Sequence, residues 1–135
     1  MSGMDVFYLH AGAMVLGFLF MSAGVGIARF QRRKRWWLKA HKTAGSAGPA
    51  VMLFGLAAAF LMVEDAGSGH IQVPHAAIGL VTMLLALLTP LLGHLPFRIP
   101  QKARALREKH RWSGRVTLAV GSITILSGLY ISGII

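Results

Sequence analysis

The sequence has no cysteine, and only four of its 135 residues are acidic: Asp5, Glu64, Asp65 and Glu108. Without thiols there is no disulfide, no iron–sulfur cluster, no thiolate- or thioether-held cofactor and no cysteine nucleophile. The redox compartment is therefore not readable from cysteine usage. With so few carboxylates, and none inside an apolar stretch, a zinc or di-iron site built from acidic ligands is excluded as well. Charged residues make up 13% of the chain, about half the usual share of a soluble domain. The first residues, Met-Ser-Gly-Met-Asp, carry no basic segment of the kind that precedes a cleaved leader, so the first apolar run is expected to be retained.

What is abundant is apolar sequence. Hydrophobic residues account for 55% of the chain and mean hydropathy is +0.61, values of a membrane protein. The length suits one domain, covering 1–135. The formal net charge is +10, and its placement argues against nucleic acid as a partner. Seven Lys and Arg fall in 29–42 and seven in 98–115. Basic residues gathered in alternate short loops are the signal that orients a membrane protein, and they face anionic lipid.

Four apolar runs, at about 6–30, 39–63, 74–94 and 109–135, are each long enough to cross roughly 30 Å of hydrocarbon. The expected fold is all-α: an up-down-up-down four-helix membrane bundle with short connections. Both termini would lie outside and both basic loops in the cytoplasm. Trp36 and Trp37 stand where an interfacial belt belongs. Pro49 and Pro90 fall inside spans, Pro74 suits a first helical position, and Pro96 and Pro100 are expected to end the third helix. Residues 99–109 would form a short interfacial segment.

The candidate site residues are histidines. His41 lies just inside the second span and is followed by Gly45, Gly48 and Gly55 at +4, +7 and +14, offsets that share a helix face. A planar group or a neighbouring helix fits against such a face. His75 with Gly79 and His110 with Gly114 repeat the +4 spacing, and His10 is followed by Met14 and Gly17. Gly114, Gly121 and Gly128, seven apart, form a small-residue seam on the fourth span. Each of the four histidines is near the start of its span, so alternation of direction puts His10 and His75 at one membrane edge and His41 and His110 at the other. In this topology spans 1 and 3 are diagonal, as are 2 and 4, so each pair faces across the axis. A single histidine in a span is often a helix-packing or proton-relay residue. Four in matched pairs, with no acid or thiol to complete another kind of site, fit a histidine-ligated haem. Lys39, Lys42, Arg111 and Arg115 flank the second pair as propionate partners, donor attractants or plain interfacial anchors. Tyr8, Ser68, His70 and Gln72 are the polar groups near the first pair. His70 and His94 read as interfacial, and Met14, Met21 and Met52 as packing residues.

With these pieces in order, His10-Ala-Gly-Ala-Met, Trp37-Leu-Lys-Ala-His41-Lys-Thr-Ala-Gly45, His75-Ala-Ala-Ile-Gly79 and Lys109-His110-Arg-Trp-Ser-Gly114-Arg115, the chain resembles the four-helix core of the cytochrome b561 family. The resemblance implies two b-type haems, one ligated by His10 and His75 and one by His41 and His110, and electron transfer across a membrane. Eukaryotic members add a helix at each end, so this chain is expected to be a minimal, prokaryotic-like form in an inner membrane. The family's long ascorbate motif is not recognisable at Ala28-Arg29-Phe30, though Lys39 matches a family lysine near that site. The expected donor is a small ascorbate-like molecule or a quinol. The competing reading is a membrane-anchor or structural subunit of a larger complex, holding one haem or none. A homodimer or a larger membrane complex is the expected protein partner.

Overall fold

We describe a computed structural model over residues 3–65, 67 and 73–135. It has four long helices, α1 (Gly3–Phe30), α2 (Trp37–Asp65), α3 (Pro74–Arg98) and α4 (Ala103–Ile131), with a 3₁₀ turn at Pro100–Lys102 between the last two. No strand occurs among the described residues. All four helices are long and apolar enough to cross a membrane. The protein is an all-α membrane bundle, and the lipid bilayer is its surrounding partner.

The exterior bears this out. Large apolar side chains point outward along every helix: Phe54 is 74% exposed, Leu91 63% and Leu84 60%. The apolar side chains that are fully enclosed, Val6, Met21, Met52, Ala58, Met83 and Ala86, are few and mostly small or flexible. In lipid the outward Leu and Phe lose nothing by exposure, so close packing between helices holds the bundle together, without a conventional hydrophobic core. Met21, Met52, Met83 and Ala86 meet at mid-bundle, with Met14 packed against them; these methionines fill space, as expected.

The helices associate as two hairpins. α1 runs along α2 and α3 along α4, while α2–α3 and α1–α4 touch more lightly; the diagonals α1–α3 and α2–α4 make no backbone approach among the described residues. The first hairpin closes on glycine. A Cβ on Gly17 would lie 2.7 Å from the Gly48 carbonyl, and one on Gly48 would lie 2.8 Å from the Gly17 carbonyl, with Met52 and Met21 behind them. The second hairpin closes on hydroxyls: Thr82 meets Thr124 at 2.7 Å and Thr89 meets Thr117 at 2.9 Å and Ser113 at 2.6 Å. At one end both short connections carry the basic residues, and there Lys42 Nζ sits 3.7 Å from the centre of the Phe97 ring, tying α2 to the end of α3.

Two boundaries differ from the sequence expectation. α3 passes through Pro96 and stops at Arg98, where the Ile99 N–H closes on the Leu95 carbonyl; a proline removes only its own donor, and the next turn can still close. Residues 103–109 are the first turns of α4 and not a separate interfacial segment, because good helix formers (Ala, Arg, Leu, Glu, Lys) fill them. Ser68, His70 and Gln72 lie outside the described residues.

The glycine crossing gives a direct check. Gly17→Leu is expected to cost on the order of 1–3 kcal/mol through overpacking, read as a lower thermal midpoint in detergent. Gly12→Leu, at a position with nothing within 4 Å, should not lower it.

Candidate functional site: two crossed histidine pairs

Each histidine near a helix start donates its Nδ1–H to the partner helix of its own hairpin. His10 donates to the Gly55 carbonyl and His41 to the Gly24 carbonyl, both at 2.8 Å. His110 donates to the Thr89 carbonyl at 2.8 Å, and His75 to the Ser127 hydroxyl at 3.0 Å. A carbonyl can only accept, and the Ser127 hydroxyl already gives its own proton to the Thr124 carbonyl, so all four bonds assign the proton to Nδ1 and leave Nε2 its lone pair.

The spacing behind this arrangement repeats. Seven and fourteen residues after His10 come Gly17 and Gly24; after His41, Gly48 and Gly55; after His75, Thr82 and Thr89; after His110, Thr117 and Thr124. In the first hairpin the two +7 glycines meet each other at the crossing; in the second each +7 threonine bonds the +14 threonine of the partner helix, Thr82 to Thr124 and Thr117 to Thr89. At Gly24, Gly55 and Thr89 the +14 position also offers a carbonyl to the other histidine of the hairpin. One hairpin is built on glycine and the other on threonine. Gly55 was visible in the sequence as part of the His41 face, whereas its function as acceptor for His10 was not. Gly48 and Gly55 pack against α1, so the neighbouring helix occupies that part of the glycine face, while Gly45 has nothing within 4 Å.

The rings then meet across the diagonals. His10 and His75 stand with ring centres 6.3 Å apart and planes at 88°, at the end away from the basic connections. His41 and His110 stand 5.9 Å apart at 78° at the basic end. Since His41 is level with Gly24 of α1, fourteen residues beyond His10, the two pairs are about 21 Å apart along the bundle.

Other expected site residues are placed differently. Gly79 and Gly114 approach only a threonine methyl, Thr124 and Thr89 respectively, at 3.7 Å. Lys39, two residues before His41 and so on the opposite helix face, lines a furrow with Phe20, Trp36 and Thr43 on the outside of the first hairpin. Arg111 is exposed. Lys42 and Arg115 rest on aromatic rings, Phe97 and Trp112, as interfacial anchors do. His94 donates to the Pro90 carbonyl of its own helix and is exposed. Tyr8 is 62% exposed and stacks edge-on against Phe7. Two residues escaped the sequence reading. A Cβ on Gly93 would stand 2.9 Å from His110 Cε1, and one on Gly128 equally close to His75 Cε1. Both lie eighteen residues after a histidine, five turns along, and only the opposing helix reveals their purpose. Gly128 was noted solely as part of the α4 seam.

Four imidazoles with Nδ1 engaged and, among the described residues, no hydrogen bond at Nε2 are the donor set for a metal that takes nitrogen ligands on two opposite faces. An iron bound by two imidazole nitrogens at about 2 Å each puts the ring centres about 6 Å apart, which is the observed spacing. The residues present therefore fit haem. This is a polytopic helical bundle with paired intramembrane histidines, the class that includes membrane cytochromes. The sequence profile described as eukaryotic cytochrome b561 matches residues 9–135; the chain belongs to the cytochrome b561 family, whose members bind b-type haem and transfer electrons across membranes. No curated protein and no solved structure matches the chain.

Gly128→Leu should push His75 aside and reduce the haem absorbance per protein in the purified membrane protein. Gly12→Leu, in open space, should leave the ratio as it is.

Proposed function

We propose that the chain carries single electrons between the two membrane faces through two b-type haems, one held by His10 and His75 and the other by His41 and His110. The observation that carries this reading is the set of four Nδ1–H bonds, three to main-chain carbonyls and one to the Ser127 hydroxyl, which presents every Nε2 as a ligand and orients each ring from a neighbouring helix. Such outer partners hold ring orientation and raise ligand basicity in metal sites. The haems supply the one-electron redox chemistry when bound. His41 and His110 would hold one haem and His10 and His75 the other, and single-electron exchange between groups so held would make and break no bond.

The rest of the chain supports transfer by holding the sites still and dry. Gly45, Gly79 and Gly114 keep the helix faces beside His41, His75 and His110 flat. Mid-bundle Met21, Met52 and Met83 exclude water between the sites. The seven basic residues in each of 29–42 and 98–115 support a cytoplasmic position for the His41–His110 end. There Lys39 and Arg111 would draw an anionic, ascorbate-like reductant towards that face, and a quinol would approach through the lipid. The acceptor is met at the opposite face. Residues 1–135 act as one unit in this scheme.

The purified protein should hold two haems per chain with a reducible b-type spectrum. His41→Ala should remove one spectral component, halve the ratio and leave the His10–His75 component in place. An unchanged haem content in His41→Ala would overturn the pairing.

A further inference from the structure

The two hairpins share one plan, and at a single position the plan is broken. In three of four cases a histidine Nδ1–H reaches a main-chain carbonyl at the +14 position of the partner helix: Gly24, Gly55 and Thr89. The fourth position in that series is Thr124, whose carbonyl accepts from Ser127. The Ser127 side chain is inserted there instead. Its hydroxyl donates to the Thr124 carbonyl at 2.8 Å and accepts from His75 Nδ1 at 3.0 Å. Serine on a helix often turns its hydroxyl back to a carbonyl of the preceding turn, so Ser127 needs no special geometry to take this place.

The substitution of a hydroxyl for a carbonyl changes the histidine. An amide carbonyl is the stronger acceptor, and the stronger the acceptor at Nδ1, the more basic the imidazole becomes at Nε2. A more basic axial ligand favours the oxidised iron and lowers its reduction potential. We propose that Ser127 is a positioning residue that tunes His75, setting the His10–His75 site at a higher reduction potential than the His41–His110 site, whose two acceptors are both carbonyls. Electrons then run downhill from the basic end to the opposite face, and the direction of flow is built into one side chain. This rests on the two-haem reading above.

The experiment is a redox titration of the haem-loaded wild type, Ser127→Ala and Ser127→Thr, followed by absorbance and paired with a haem-to-protein ratio. The component that belongs to the His10–His75 site is the one missing from His10→Ala. In Ser127→Ala the His75 ring is released to the Thr124 carbonyl, so the midpoint of that component should fall towards that of the other, which stays where it was. Ser127→Thr keeps the hydroxyl and should retain the wild-type midpoint. In all three proteins the ratio should be two. An unmoved midpoint in Ser127→Ala, an upward shift, or an equal shift of both components would overturn the tuning and leave the two-haem reading intact. A wild-type ratio other than two would overturn both.

Discussion

The structure depends on one repeated hydrogen bond, from the Nδ1–H of an intramembrane histidine to the partner helix of its hairpin. A histidine in hydrocarbon is costly unless its polar atoms are engaged, and a backbone carbonyl already inside a helix has a second lone pair to give. Each such bond stabilises the hairpin, sets the ring plane and leaves one nitrogen facing the bundle axis. Two hairpins made this way meet with only light contact between them, and the diagonal partners face each other across the axis. The ring spacings of 6.3 and 5.9 Å follow from that construction.

The two hairpins solve the same packing problem with different chemistry. In lipid, helices are held by close approach and by side-chain hydrogen bonds more than by burial of apolar surface. The first hairpin uses close approach at Gly17 and Gly48, the second two groups of hydroxyls, Thr82 with Thr124 and Thr89 with Thr117 and Ser113. Three residues after the acceptors Gly24 and Gly55 stand Ile27 and Ala58, which carry no hydroxyl, whereas Ser127 stands three residues after Thr124 and bonds its carbonyl.

The bundle, its membrane setting and the histidines were legible in the sequence because apolar runs, clustered basic residues and rare intramembrane imidazoles are local signals. Family membership was legible too, on four short ordered pieces. Less of the surroundings could be read. The +4 glycines drew notice as a pattern, yet the glycines that make room for the His110 and His75 rings are Gly93 and Gly128, which come from the opposing helix and have no sequence neighbourhood with the ring they face. The His-x₆-Gly-x₆-Gly frame of α1 and α2 is visible once one knows that +14 supplies an acceptor, while its threonine counterpart in α3 and α4 is hidden because threonine reads as ordinary span sequence. The segment 103–109 was misread because its charges suggested an interface, although its residues are good helix formers and α4 runs straight through it.

The central claim is that four imidazole nitrogens grip two irons, each from both faces. Electron paramagnetic resonance of the oxidised, purified protein tests it most directly. The account predicts two distinct low-spin ferric signals of equal weight, each from an iron with two imidazole ligands. A single low-spin signal, or a high-spin signal from an iron lacking its second histidine, would contradict it.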